Sequence, residues 1–327
     1  MITRKPDNGR YLSAEYLDGL LRDFDGLPPS GKRTSIRELA SRIQRTGDGS
    51  LAGSERGVLE VLGRAVGSPE ITVREESMQG FSLLAKRGVN VSRFQEALYQ
   101  IALGGHTSAK NDALVALSFT DKNAFPTIME VLTSVNTTET IATAISSLQN
   151  FYNRGIQIPD YMVDLVRRSL GSTADKVRWS AIASLGLFGS GSDAMMLSNY
   201  LSHDDPHTVW RSAEAIESLV RRHEHGFDPS EVRFRLTQVR RRISQGVMKS
   251  ASASQIYHIE THVASALNAI EGHITDAGQE IEGDSPSSLM KPHSAIPRNP
   301  ATLRKNRKAL REWRRRQAEL HRRTPYD

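Results

Sequence analysis

Apolar positions recur at the helical period of 3 to 4 residues through most of this chain, and one short helical phrase is repeated. Each copy ends in a small residue, and a large apolar residue follows about one turn later. The small residues lie 31 to 37 positions apart, a period typical of a helical solenoid. The copies are Val73–Ser77, Ala109–Ala113, Thr140–Ala144, Val177–Ala181 and Val209–Ala213.

Two helices are predicted before the repeats. Apolar residues between positions 10 and 25 fall on one helical face, and Ser13 is a suitable N-cap. The segment Gly26–Gly31 then predicts a break, and a second helix is expected from about Thr34 to Ile43. Residues 1–53 are therefore predicted to form an N-terminal helical cap.

Residues 54–271 are predicted to form the solenoid. Short turn signals such as Gly67–Pro69 and Asp204–Pro206 separate segments with helical periodicity, so each repeat reads as two antiparallel helices. The segment Thr137–Ile145 is rich in β-branched residues. Its place in the repeat favours a helix over a strand, because β-propensity is a weak signal by itself.

Two of the repeated phrases carry a resemblance to a known family. The segments Asp175–Gly186 and Asp204–Ile216 resemble the second helix of a HEAT repeat, although armadillo repeats share much of this pattern. The resemblance implies an all-α, right-handed superhelix of helix pairs, with a concave groove lined by the second helices. It implies no single activity.

The C-terminal part of the chain changes character twice. Residues 272–300 are rich in Gly, Ser and Pro and read as a flexible linker. Residues 301–327 read as a basic amphipathic helix or tail with Leu303, Leu310, Trp313 and Leu320 on one side. Residues 291–327 hold twelve Lys and Arg against three acids, so the remainder of this +6 chain carries −3. A terminal block of like charge usually marks an interaction segment.

Composition excludes several classes of protein. The absence of cysteine removes disulfides, thiolate catalysis and Cys-based zinc sites. No apolar run approaches the roughly 18 residues that span a bilayer. The first ten residues have no apolar core behind their charges, so no secretory signal is predicted and a cytoplasmic protein is expected.

Two near matches to chemical motifs can be weighed from the sequence. Residues 26–34 contain G-x-x-x-x-G-K, but Arg33 stands where a phosphate loop needs Ser or Thr, and two prolines remove N–H donors. His258 and His262 lie four apart and share a helix face, yet no third ligand for a metal is assignable. We expect an ordinary turn and a packed histidine pair, and no cofactor.

Trp179 and Trp210 occupy nearly equivalent places in neighbouring repeats. Some HEAT-like DNA glycosylases line a groove with tryptophans and a catalytic Asp, so that class was a candidate. The sequence places no Asp near either Trp together with supporting aromatic residues, and the acidic body of the solenoid would repel phosphates. We therefore expect both rings to serve in helix packing, and we expect no enzyme.

The sequence favours a non-enzymatic scaffold or adaptor with protein partners and an apolar or acidic groove. The alternative is a nucleic-acid-binding protein that contacts phosphates through its basic groups. A membrane surface and a solvated tail are further interpretations of the last segment. The oligomeric state stays open. The candidate partner-binding residues of the tail are Arg304, Lys305, Arg307, Lys308, Arg311, Trp313, Arg314, Arg315, Arg316, Arg322 and Arg323. A secondary basic patch comprises Arg233, Arg235, Arg240, Arg241 and Arg242.

Overall fold

The computed structural model describes residues 12–46, 51, 53–134, 136–222 and 226–279. This part of the chain is all-α, with three short 3-10 helices (Ser92–Phe94, Lys122–Ala124 and Asn199–Ser202) and no strand. The α-helices are α1 Ala14–Phe24, α2 Pro29–Arg45, α3 Glu55–Val66, α4 Ile71–Lys86, α5 Gln95–Gly104, α6 Thr107–Leu117, α7 Phe125–Thr133, α8 Thr138–Asn153, α9 Asp160–Ser169, α10 Asp175–Phe188, α11 Gly191–Ser198, α12 Pro206–Arg222, α13 Pro229–Ser244 and α14 Ala253–Gln279.

The helices of the first compact unit, residues 1–276, form two rows. The even-numbered helices α2 to α12 pack side by side as an inner row, and odd-numbered helices pack behind them as an outer row. Helix α14 extends the inner row, because His262 and Ser265 both hydrogen-bond Glu217 of α12. This arrangement confirms an all-α solenoid of helix pairs. Of the second unit, residues 277–327, only 277–279 are described.

The repeated phrase marks the buried face of each inner helix from α4 to α12. Its small residues and the large apolar residues that follow are all 0% exposed. A small side chain lets two helix axes come close, and the apolar residue one turn later fills the space beside the contact. The buried small residues are Ser77, Ala113, Ala144, Ala181 and Ala213. Their apolar followers are Phe81, Leu117, Leu148, Leu185 and Ile216.

Helices α10 and α12 come into close contact at Gly186. A Cβ at Gly186 would lie 2.7 Å from the Ala215 Cβ and 2.8 Å from its Cα. Real carbon atoms do not approach so closely without a shift of one backbone, so this contact requires glycine despite its cost in helix propensity.

Arginines in two of the phrases tie the turns before α4 and α10 to those helices. Arg74 donates to the carbonyls of Ser68 and Pro69, and Arg178 donates to the carbonyl of Ser172. Both arginines reach back six residues to carbonyls that the helices leave without partners. The arginines of the pairs Val73-Arg74 and Val177-Arg178 therefore fix the angle at which the chain enters α4 and α10.

A second set of arginines joins the C-terminal ends of successive inner helices. Arg87 after α4 donates to the carbonyl of Thr46 at the end of α2, and Arg154 after α8 donates to the carbonyl of Ser118 at the end of α6. Arg222 of α12 donates to carbonyls in the last turn of α10. Cations at these positions also complement the negative end of the helix dipole. Alternate steps of the inner row are held in this way.

In the outer row, a buried ion pair joins α9 to the start of α11. Arg167 donates to both carboxylate oxygens of Asp193 at 2.7 and 2.9 Å, and the Asp193 side chain is 1% exposed. The same carboxylate accepts from the backbone N–H of Ser190, which completes a capping box. Burial alone would favour the protonated acid, but these hydrogen bonds outweigh it and hold the pKa of Asp193 below its usual value.

The ends of three helices can be compared with the positions predicted from the sequence. The Thr-rich segment is helical from Thr138, as predicted, with Thr137 as its N-cap. The predicted start of the second helix was wrong, because α2 begins at Pro29, a residue favoured in the first helical turn. The second glycine and the lysine of the near-match phosphate motif, Gly31 and Lys32, thus lie within α2. Helix α14 continues to Gln279, through the predicted start of the linker at residue 272, and residues 280–300 lie outside the described part.

We expect Gly186→Ala to lower the free energy of unfolding by about 1–3 kcal/mol, because the added methyl group forces α10 away from α12. Chemical denaturation monitored by circular dichroism measures the change. Gly19→Ala is the matched control, since a methyl group there meets nothing within 4 Å. That control should be neutral or stabilising by up to about 1 kcal/mol. Equal effects of the two substitutions would contradict the close contact.

We expect Asp193→Asn to destabilise the fold by about 3 kcal/mol at neutral pH, because it leaves Arg167 without its buried counter-charge. Since folding lowers the pKa of Asp193, its stabilisation is present above the unfolded pKa near 4 and is lost as pH falls through the lower folded value. The difference between wild type and variant should therefore shrink in acid.

Denaturation at a series of pH values tests this expectation. The control is Asp164→Asn, which removes the other, 58% exposed partner of Arg167 and should change stability by less than about 0.5 kcal/mol. A difference that stays constant from neutral to strongly acidic pH would show that the Asp193 charge is not responsible.

Candidate partner-binding groove

Two adjoining cavities follow the exposed side of the inner row. Their volumes are about 540 and 560 Å3, and they share Gln149, Ala183 and Arg211 as lining residues. We refer to the two together as the inner groove. It runs across α6, α8, α10 and α12, so it is lined by the second helix of each repeat, as the sequence resemblance implied.

One position of the repeated phrase supplies a side chain to the groove from every helix along it. The third residue of the last four phrases lines the first cavity: Asn111, Ala142, Trp179 and Arg211. Residues at this position lie two places before the buried small residue, so their side chains point away from the buried face of the helix. The repeat register carries the signal for this site, although no motif in the sequence marks these four residues as binding residues.

The charged side chains of the groove neutralise one another. Lys176 lies 3.2 Å from Glu139, Arg211 lies 3.0 Å from Glu214, and the Arg221 Nε lies 3.1 Å from Glu217. Three acids and three permanent cations line the two cavities, and each cation has an acid. The expectation of an apolar or acidic groove was therefore wrong. Of these three pairs, that of Lys176 and Glu139 joins α10 to α8, whereas the other two lie within α12 at i,i+3 and i,i+4 spacing.

Uncharged polar side chains occupy the centre of the groove. Gln149 donates to Ser184 at 2.9 Å, and Ser146 donates to Ser180 at 3.3 Å, so both bonds join α8 to α10. The carboxamide oxygen of Asn111 is buried without a hydrogen-bond partner among the described residues. An unpaired buried acceptor has a free-energy cost that a donor from a ligand would remove.

A cluster of aromatic rings closes one end of the first cavity. The His207 ring lies edge-on to Trp179 and Trp210, with centroid distances of 4.2 and 5.2 Å. Trp210 in turn stacks on His258 of α14 at 4.7 Å, and the Arg211 guanidinium lies over Trp210. The cluster thus joins α10, α12 and α14, which supports the expected role of both tryptophans in helix packing.

The expectation that no Asp lies near these tryptophans was wrong. Asp205 accepts hydrogen bonds from the Trp179 Nε1 at 3.3 Å and from the Thr208 backbone N–H at 2.9 Å. It also accepts from the backbone N–H of His207. Burial acts to raise the pKa of Asp205, but these hydrogen bonds outweigh it and lower the pKa. The carboxylate therefore caps the first turn of α12.

His207 is uncharged at neutral pH. Burial, with help from the adjacent Arg211 charge, lowers the pKa of His207 from its usual value near 6.5. The Arg211 Nε donates to the His207 Nε2 at 3.4 Å, so the ring proton is assigned to Nδ1. His207 therefore adds no charge to the lining of the first cavity.

The two histidines of α14 have separate partners. His262 hydrogen-bonds Glu217 through Nδ1 at 2.7 Å, whereas His258 stacks on Trp210. Among the described residues, no group of three or more His, Cys, Asp or Glu is placed to hold a metal ion. The structure therefore assigns both rings to the contact between α12 and α14.

The predicted basic patch on α13 does not form one free face. Arg235 bonds Glu231 and Asn199, and Arg242 donates to the carbonyls of Leu201 and His203, so both arginines serve the contact with the preceding repeat. Arg233 lies 3.3 Å from Glu271. Arg240 and Arg241 remain exposed, with no ion pair to a described residue.

The other predicted partner-binding residues, those of 304–323, lie outside the described residues. Within the described ranges, no helix has the length and apolar character needed to cross a membrane.

The comparisons with known proteins find likenesses of structure alone. No family model and no curated protein matches the chain. The designed armadillo repeat protein YIII(Dq)4CqI is 13% identical, with a TM-score of 0.44, and the match covers 64% of this chain and 98% of that one. A designed armadillo repeat protein in complex with the peptide (KR)4 is 14% identical, with a TM-score of 0.37, over 78% of this chain and 99% of that one. These values are too low to carry an argument about binding.

We expect Asp205→Ala to destabilise the fold by about 1–2 kcal/mol, because it removes a helix cap and leaves the Trp179 N–H without its carboxylate partner. Chemical denaturation gives the free energy, and near-ultraviolet circular dichroism reports the tryptophan environment. Asp204→Ala is the matched control, since Asp204 is exposed. If both variants behaved alike, the cap would not be Asp205.

Proposed function

We propose that this protein is a non-enzymatic scaffold that holds a segment of a partner protein in the inner groove. The observation that carries the proposal is the continuity of the groove across four inner helices. Its lining residues are largely outside the core, so they are available to a partner without unfolding the repeats. Solenoids commonly use such extended surfaces for binding.

The basic C-terminal segment is proposed as a second contact, with an acidic partner. Its eleven candidate residues, among them Arg304, Trp313 and Arg323, combine a cationic side with apolar anchors, a pattern suited to an acidic protein groove. Binding at two linked sites would raise the total affinity without new contacts at either one. We further propose a HEAT-type repeat and a cytoplasmic location, both from the sequence pattern.

Nucleic-acid binding is the second candidate function. Its support is the charge of residues 291–327 and the exposed Arg240 and Arg241. The charge-balanced groove and the engaged Arg235 and Arg242 favour the protein partner instead.

Affinity capture from the native cell tests both functions. We expect residues 1–327 to retain protein partners after nuclease treatment, and Ala183→Arg to lose those held by the groove, because it places a long cation where the two cavities adjoin. Ala264→Arg, the same change on the exposed side of α14, is the matched control and should retain them. Truncation to residues 1–290 should release only the partners of the tail.

Partners that disappear with nuclease would favour the nucleic-acid function. Partners that survive nuclease but are unaffected by both Ala183→Arg and the truncation would contradict the proposed binding surfaces.

A further inference from the structure

The inner groove has the length of an extended peptide. Neighbouring packed helices lie about 8–10 Å apart, so the four inner helices along the groove span about 25–30 Å. An extended chain rises about 3.3 Å per residue, so about eight residues would cross the groove. A continuous cleft of this length suits a peptide segment better than a compact ligand.

The charges of the groove oppose a charged occupant. A ligand carboxylate that approaches the Lys176 ammonium group would also approach Glu139, whose carboxylate lies 3.2 Å from that group. A ligand carboxylate that approaches Arg211 would likewise approach Glu214, which lies 3.0 Å from the guanidinium. An incoming cation meets Lys176, Arg211 and Arg221 alongside the three acids. In either case an existing ion pair is broken or a like charge is brought near, so a charged ligand gains little net electrostatic energy.

The groups left for recognition are uncharged. Asn111 of α6, Ser180 of α10 and His207 of α12 line the first cavity, and none of the three carries a permanent charge. The Trp179 indole adds an apolar wall, because its N–H is already bonded to Asp205 and Thr208. Backbone amides, uncharged polar side chains and apolar side chains satisfy these groups.

We infer that the inner groove selects an uncharged, extended peptide segment of about eight residues and excludes acidic and basic segments. The inference rests on the proposed function and adds the chemistry of its partner. The two proposed contacts would therefore differ in chemistry. The groove would bind an uncharged segment, whereas the basic C-terminal segment would bind an acidic partner through charge.

A random octapeptide phage library selected on the full chain provides the first test. We expect the retained peptides to be depleted in Asp, Glu, Lys and Arg relative to the input library. Synthetic copies should bind with a dissociation constant that changes less than about twofold between 50 and 500 mM salt, because screening affects only charged contacts. Ala183→Arg should abolish this binding, and Ala264→Arg should preserve it.

Removing two acids from the groove provides a sharper test. In Glu139→Gln with Glu214→Gln, Lys176 and Arg211 lose their counter-charges. We expect this double variant to bind a glutamate-substituted copy of a selected peptide at least about tenfold tighter than wild type does, with a new salt dependence. The control is Glu60→Gln with Glu96→Gln, which removes two exposed acids outside the groove and should leave binding unchanged.

The inference and the proposed function fail in different ways. If Ala183→Arg blocks the selected peptides but these are rich in charge and lose affinity in salt, the groove is a binding site and the uncharged partner is wrong. If Ala183→Arg leaves every selected peptide bound, the groove is not the binding site, and both the inference and the groove contact are wrong.

Discussion

The close contact between successive inner helices is the constraint on which this structure depends. Each inner helix from α4 to α12 carries a small residue and, one turn later, a large apolar residue, both without exposed surface. Gly186 shows how narrow the tolerance is, because even a methyl group there would overlap Ala215. The side chains two positions before each small residue are thereby directed outward, so core and groove are set by one register.

Charge is used differently at the edges of the solenoid and in its groove. At the helix ends, arginines such as Arg178 and Arg222 neutralise carbonyls that would otherwise lack partners. In the groove, cations and acids neutralise one another, between helices at Lys176 and Glu139 and within α12 at Arg211 and Glu214. The result is a groove whose lining carries almost no net charge. Such a surface recognises a partner by hydrogen bonds and shape more than by attraction at a distance.

The aromatic cluster links the groove to the last helix. His207 contacts both tryptophans, Trp210 stacks on His258, and Glu217 at the rim of the second cavity bonds His262. A change in how α14 docks would therefore alter the wall of the groove. The structural and binding roles of these rings are not separable, which is common where a site is built on the contact between two helices.

The sequence by itself determined the all-α repeat architecture, the register of the small residues and the helical state of the Thr-rich segment, because periodicity and local turn signals lie along the chain. It could not place Asp205 beside Trp179, set Glu139 against Lys176, or divide the α13 arginines into engaged and exposed groups. These pairs are 26 to 41 residues apart, and only helix stacking brings them together. The start of α2 at Pro29 was missed for a local reason, since a proline was read as a break where it began a helix.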